Sequence, residues 1–246
     1  MNKPLLLIDV GNSRLKWARA RDGQLDGGGV IEHHGNPVAA FGQVDGSDVD
    51  AVWIADVTGA ALRPALAQAV SARCGIGPHF AASEAHRAGL VCAYAHPQRL
   101  GVDRWLMLLA TWTQTHAAAC VASAGTALTF DAVDSQGRHR GGVIAPGLRA
   151  MQQTVLDTTR FGAGGPQHDY SSGLGTDTEA CVRQGALHAA AGLIERLTLR
   201  NGEDAACWLS GGDADTLLPH LPPIWSQHPD LVLEGLLALA MDDATP

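Results

Sequence analysis

Two places in this chain set carboxylates beside glycine-rich backbone in a way that suits phosphoryl chemistry. The first is Asp9-Val10-Gly11-Asn12, directly after the apolar residues 5–8. A strand that ends in such a turn leaves backbone N–H groups unspent. Glycine lets a ligand approach the backbone closely, so the turn forms a concave cluster of donors suited to phosphate oxygens. Asp9 beside those oxygens could hold Mg²⁺, directly or through water, and Lys16 could offset phosphate charge. Gly125-Thr126 repeats the theme, with Thr126 and Thr129 as added hydroxyl donors. Asn and Gly also serve as ordinary turn residues; the recurrence is what favours a ligand.

The second place is Gly101-Val102-Asp103-Arg104, where an extended segment over 94–100 meets a helix. Asp103 there is either a helix cap, for which Asp is a favoured residue, or a general base that takes the proton of an attacking hydroxyl. Arg104 can grip a carboxylate with two parallel hydrogen bonds. The helix dipole does not favour an arginine in the first turn, which tilts the reading toward function.

Other chemistries lack their signatures. No Gly-x4-Gly-Lys-Ser/Thr occurs, and Gly173-Leu174-Gly175 runs on into Thr176-Asp177-Thr178, so Gly-x-Gly-x-x-Gly is absent too. Ala122-Ser123-Ala124-Gly125 is not a nucleophile elbow. The 11 histidines are scattered, with His33-His34 in a polar loop, and the 5 cysteines show no Cys-x-x-Cys pair, so buried free thiols are expected and a zinc site is not.

The elements that must position these residues can be read from the apolar patterning. Strands are expected over 5–10, 15–20 and 51–57, with hairpin chemistry at Arg21-Asp22-Gly23. Helices follow over 60–73 and 103–119, and 83–90 fits no single element. Strands over 120–124 and 128–133 flank the second glycine turn, and Ser135-Gln136-Gly137 forms the next one. Further helices are expected over 148–156, 178–199 and 231–241. A glycine-rich stretch covers 161–175, and a strand over 206–209 runs into Ser210-Gly211-Gly212. Sliding the chain by 114 positions places Gly11 on Gly125, Gly23 on Gly137 and Gly27-Gly28 on Gly141-Gly142. Several coincidences in one register indicate a duplicated unit.

Composition narrows the partners. With 46% apolar and 17% charged residues in 246, the chain can bury a sizeable core, and its net charge of −8 argues against duplex or membrane-surface binding. No run approaches the roughly 20 apolar residues that span a bilayer. The short apolar start is too brief for a signal peptide. A soluble cytoplasmic protein with a small-molecule ligand is expected.

Taken in order, the motifs resemble those of the type III pantothenate kinases. Asp9-Val10-Gly11-Asn12-Ser13-Arg14-Leu15-Lys16 is similar to their first phosphate motif, and Tyr94-x-x-Pro97-x-x-Leu100-Gly101-Val102-Asp103-Arg104-Trp105 to their pantothenate motif. Ala124-Gly125-Thr126-Ala127-Leu128-Thr129-Phe130-Asp131 is similar to the second phosphate motif. Gly141-Gly142 through Pro146-Gly147, Thr178, Ser210-Gly211-Gly212 and Asp230 through Leu236 follow in family order. The resemblance implies an α/β fold of the acetate and sugar kinase, heat-shock ATPase and actin superfamily. That fold is a duplicated ribonuclease H-like unit, with two mixed-sheet lobes and flanking helices over 1–115 and 116–246.

It also implies ATP-dependent phosphorylation of pantothenate, the first step of coenzyme A biosynthesis, by a homodimer that uses Mg²⁺ and commonly K⁺ or NH₄⁺. Carried over, Asp103 is the proton acceptor, and Tyr94, Gly101, Val102, Arg104 and Thr178 line the pantothenate. Asp9, Val10, Gly11, Asn12, Ser13, Arg14, Leu15 and Lys16, with Gly125, Thr126, Ala127 and Thr129, hold the ATP phosphates. Gly211 and Gly212 lie near the adenosine. Ser123 stands where many members have the Asp that ligates the monovalent cation, so K⁺ binding should be weaker or dispensable. The rival is a non-enzymatic ATP-binding regulator on the same scaffold, which would need both turns but not Tyr94, Asp103, Arg104 and Thr178 together.

Overall fold

A computed structural model describes residues 3–159, 169–202 and 204–243. Part of the glycine-rich stretch, 161–168, falls outside them. In chain order the elements begin with strands β1 (Leu5–Val10), β2 (Arg14–Arg21) and β3 (Gln24–Glu32), helix α1 (Pro37–Phe41), β4 (Ala51–Asp56), α2 (Arg63–Cys74) and β5 (Pro78–Phe80). A small hairpin of β6 (His86–Arg87) and β7 (Leu90–Val91) precedes α3 (Val102–Thr115). Then come β8 (Ala119–Ala124), β9 (Ala127–Val133), β10 (His139–Pro146), α4 (Leu148–Thr158), α5 (Thr178–Asn201), β11 (Ala206–Ser210), α6 (Ala214–Leu217), β12 (Trp225–Gln227) and α7 (Leu231–Asp243).

The chain divides into two compact units, Met1–Gln114 with Asp230–Pro246, and Thr115–Pro229. Each holds a five-stranded mixed sheet, in the order β3-β2-β1-β4-β5 and β10-β9-β8-β11-β12. In both, the first strand pairs antiparallel with the second and parallel with the fourth. One topology used twice is the duplicated α/β fold that the sequence implies.

The glycine register has a physical basis. Gly23 (φ 75°) and Gly137 (φ 77°) occupy left-handed positions in the turns after β2 and β9. Gly27 (φ 70°) and Gly141 (φ 93°) lie where the ladder slips by a residue, between Ala18 and Ala20 on the partner strand in one unit and between His139 and Gly141 in the other. A bulge residue with positive φ favours glycine, so both sheets demand glycine at matching places.

β1 is central and apolar because both its faces are covered. Leu6, Ile8 and Val10 pack with Leu15, Val52 and Ile54, and with Phe41, Leu66 and Val70 from the helices α1 and α2. Leu7, fully buried, points to the other face, and α7 packs against β1, β2 and β4. The sequence assigns residues 231–241 to the second lobe; the structure places α7 in the first unit, where its buried Leu231, Leu233, Leu236 and Leu239 find their apolar partners. α3 lies against α7 so closely that a Cβ at Gly235 would collide with the Leu106 carbonyl, and Gln114 Nε2 donates to Glu234 Oε2 at 2.8 Å.

In the second unit Cys120, Ala122, Ala124, Leu128 and Phe130 pack against Leu187, Ala190 and Ile194 of α5, with Leu209 and Trp225. α3 ends at Thr115, four residues short of the expected helix, because His116 adopts φ 45° and turns the chain into β8. The short elements α1, β5, α6 and β12 carry too little periodicity to be read from sequence.

Candidate active site

The first glycine turn closes β1 onto β2. Val10 is the last residue paired, with Leu15, and the Gly11 N–H donates to the Arg14 carbonyl at 3.0 Å. Val10 and Leu15 are core residues with no side-chain exposure to offer a ligand, and their backbones run in the sheet ladders, Val10 with β2 and β4 and Leu15 with β1 and β3. Asn12, Ser13 and Arg14 are exposed, and Arg14 pairs loosely with Glu32 at 3.4 Å. Asp9 lies opposite Lys16 across the β1–β2 ladder. Since Ile8 and Val10 face the core, Asp9 faces the other way. Burial, with the negative charge of Asp103 added, pushes the Asp9 carboxyl up to about 7, and the Lys16 ammonium partly opposes the shift. The fold thus brings two carboxylates that are 94 positions apart in the chain into one electrostatic neighbourhood.

The second turn has the same plan, one residue shorter. Ala124 pairs with Leu128, and the Gly125 N–H donates to the Ala127 carbonyl at 3.0 Å. Two other glycines press their backbones onto it. The Gly147 N–H donates to Thr126 O at 3.2 Å, and a Cβ there would collide with the Gly125 carbonyl. Gly211, at φ 100°, leaves no room for a Cβ beside Ala124, whose carbonyl accepts from the Asp213 N–H at 2.9 Å. Gly212, next to it, is exposed. Gly147 had no role in the sequence reading beyond its place in a motif; the signal, a Pro-Gly just before a helix, is common to many unrelated turns.

Ser123 lies opposite Thr129 on the face turned away from the second core. Thr129 is nine-tenths buried, and its hydroxyl has no hydrogen-bond partner among the described residues. An orphan hydroxyl so placed is a donor awaiting an acceptor.

The acid at α3 is not a helix cap. The Gly101 carbonyl accepts the first helical bond, from the Trp105 N–H at 3.0 Å, so Gly101 holds the capping position and Asp103 sits within the first turn. The Asp103 carboxylate folds over Gly101: a Cβ there would be 2.6 Å from Asp103 Oδ1, so a larger residue at 101 would push that carboxylate aside. Val102 is buried, which anchors the turn. Arg104 is buried and donates from Nη1 to the Tyr94 hydroxyl at 3.3 Å. Ser83 Oγ donates to the Leu100 carbonyl at 2.9 Å and fixes the segment leading in. Tyr94, Gly101, Asp103 and Arg104 therefore form one group within the first unit.

Thr178 belongs to the second unit. It is the first residue of α5, after Asp177, whose carboxylate caps the helix by accepting from the Ala180 N–H at 2.8 Å. It lines a cleft of about 760 Å³ with Met151, Val155, Cys181 and Val182. The sequence reading also passed over His33, a buried residue whose ring reaches the Gly11 carbonyl at 2.8 Å; a histidine in a polar loop carries no sign of that contact.

Comparison with known proteins places the chain among relatives. The family profile described as type III pantothenate kinase matches residues 5–200. A type III pantothenate kinase of Nitrosococcus oceani is 33% identical over 97% of this chain and 94% of its own length. One from Methylobacillus flagellatus is 36% identical over 94% and 96%. Among solved structures, the activator of the 2-hydroxyisocaproyl-CoA dehydratase from Clostridium difficile, with bound ADPNP, superimposes with a TM-score of 0.58 at 10% identity, covering 98% of this chain and 95% of that one. It shares the fold. The extent of the profile match and of the full-length identities shows that this chain belongs to the type III pantothenate kinase family.

Proposed function

We propose that the protein transfers the γ-phosphoryl group of ATP to the primary hydroxyl of pantothenate, giving 4′-phosphopantothenate at the start of coenzyme A biosynthesis. The observation that carries this reading, beside family membership, is the Asp103 carboxylate in the first turn of α3, next to the buried Arg104–Tyr94 pair and within the field of Asp9. Arg104 takes the pantothenate carboxylate in a two-pronged grip, with Tyr94, Gly101, Val102 and Thr178 lining the rest of the molecule. Asp103 accepts the hydroxyl proton as the oxygen forms its bond to phosphorus and the bond to the ADP oxygen breaks. Amides of the turns at Gly11 and Gly125, with Lys16 and the hydroxyls of Thr126 and Thr129, take the phosphate oxygens. Ser210-Gly211-Gly212 receives the adenosine. Most of the acceleration comes from positioning and electrostatic stabilisation.

Asp9 suits Mg²⁺. A carboxylate whose proton is held by burial and, secondarily, by the negative charge of Asp103 gains from a divalent cation shared with phosphate oxygens. Bound there, Mg²⁺ supplies charge neutralisation for the phosphates. At Ser123 a neutral hydroxyl, opposite Thr129, stands where the resemblance implies a carboxylate, so K⁺ or NH₄⁺ would be held more weakly there or be dispensable. No step is assigned to a monovalent cation.

The protein is read as a cytoplasmic homodimer. No helix among the described residues is long and apolar enough to cross a membrane. Exposed Val155 and Leu174, beside the apolar cleft of Thr178, support pairing of two copies. The test is ADP release coupled to a spectroscopic signal, with pantothenate, pantoate, a hexose or no acceptor. Turnover is expected with pantothenate alone. Preference for another acceptor, or none for any, would overturn the reading.

A further inference from the structure

We propose that His33 is a positioning residue that sets the first phosphate turn for ATP, an inference that rests on the kinase reading above. His33 follows β3 and is 6% exposed. Its N–H donates to the Ser13 carbonyl at 3.2 Å, and its ring Nε2 lies 2.8 Å from the Gly11 carbonyl. His34 (φ 44°) and Gly35 (φ 86°) turn the chain back, so that the Gly35 N–H donates to His33 Nδ1 at 3.1 Å. Because Nδ1 accepts, the ring proton resides on Nε2, which then donates to Gly11. The tautomer is dictated by the chain's own geometry.

One residue thus engages two carbonyls of the turn from the same side. In a trans peptide the C=O and the following N–H point in opposite directions. With the carbonyls of Gly11 and Ser13 held toward His33, the N–H groups of Asn12 and Arg14 face the opposite way, as donors to phosphate must. The Gly11–Asn12 peptide is the vulnerable one, since glycine tolerates both orientations. Without the imidazole donor, that peptide can flip and present a carbonyl where phosphate needs an N–H. In the kinase reading the N–H groups of Asn12 and Arg14 serve phosphate; His33 makes that role conditional on a side chain 22 residues beyond Gly11.

The test compares His33→Asn with His33→Gln. Asn can still accept from the Gly35 N–H but is too short to reach Gly11, whereas the Gln amide extends to the place of Nε2. His33→Asn should raise the Kd for Mg·ADP about tenfold, the loss of one neutral hydrogen bond, and raise KM for ATP in parallel. KM for pantothenate should stay within about twofold, and His33→Gln should recover most of the nucleotide affinity. Unchanged Mg·ADP affinity in His33→Asn, equal loss for both substrates, or a Gln variant as weak as Asn would overturn the proposal. Wild-type protein that binds no Mg·ADP would instead overturn the kinase reading. Thermal midpoints of both variants, read alongside, show whether a loss comes from unfolding, which would count against a positioning role.

Discussion

Asp9 on β1 and Ser123 on β8 stand at equivalent places in the duplicated hairpin, 114 residues apart: Asp9 lies opposite Lys16, and Ser123 opposite Thr129. One unit therefore carries an acid–base pair where the other carries two neutral hydroxyls. Under the proposed kinase reading, the charge facing the phosphates comes from the first unit's pair and from Asp103, which share one electrostatic neighbourhood.

This asymmetry predicts indifference to monovalent cations. Initial rates and Mg·ADP affinity should agree within about twofold in KCl, NH₄Cl and NaCl at equal ionic strength. Ser123→Asp restores a carboxylate beside Thr129 and should make both quantities K⁺-dependent. Strong stimulation of the unaltered protein by K⁺ would contradict the assignment.

Asp103→Asn should lower kcat by roughly 10²-fold or more, as expected for loss of a general base, with Mg·ATP affinity nearly unchanged. Near-normal turnover in the coupled ADP assay would remove Asp103 from its role.

Asp9 makes stability depend on pH in a stated direction. Its carboxyl is raised from 3.8 to about 7 in the folded protein, so the folded state holds a proton that the unfolded chain releases. The stability this supplies is fully present below pH 4 and is lost as pH rises through about 7. Asp9→Asn should therefore melt higher than wild type at pH 8 in the absence of nucleotide, with the gap closing toward pH 5. Chemical denaturation at the two pH values measures it; a gap that widens on acidification would reverse the sign.

Two glycine substitutions should move stability in opposite directions. Gly235→Ala drives a methyl group into the Leu106 carbonyl at the α3–α7 contact and should cost about 1–3 kcal/mol by overpacking. Gly192→Ala, inside α5 with open space around it, should stabilise by about 0.5–1 kcal/mol through helix propensity. Urea titration of both variants against wild type decides the matter.

What could be read from residues alone was local chemistry. The apolar run of β1, the turn glycines at 23 and 137 and the bulge glycines at 27 and 141 each answer to a few adjacent residues, so their duplication was visible in the spacing. The motifs around Asp9, Gly125 and Asp103 were legible for the same reason. What only the tertiary structure decided depends on residues far apart in the chain. The apolar side of α7 announced that it needed a partner, but not that the partner would be the sheet of β1, β2 and β4. Nothing near Gly147 or Gly211 states that each would meet the second turn backbone to backbone. Nothing near Asp9 states that Asp103 would raise its proton affinity, or that His33 would hold the carbonyl of Gly11. Propensity and periodicity act over one turn or one strand, whereas steric exclusion and charge coupling act through space, and the folded chain alone sets those distances.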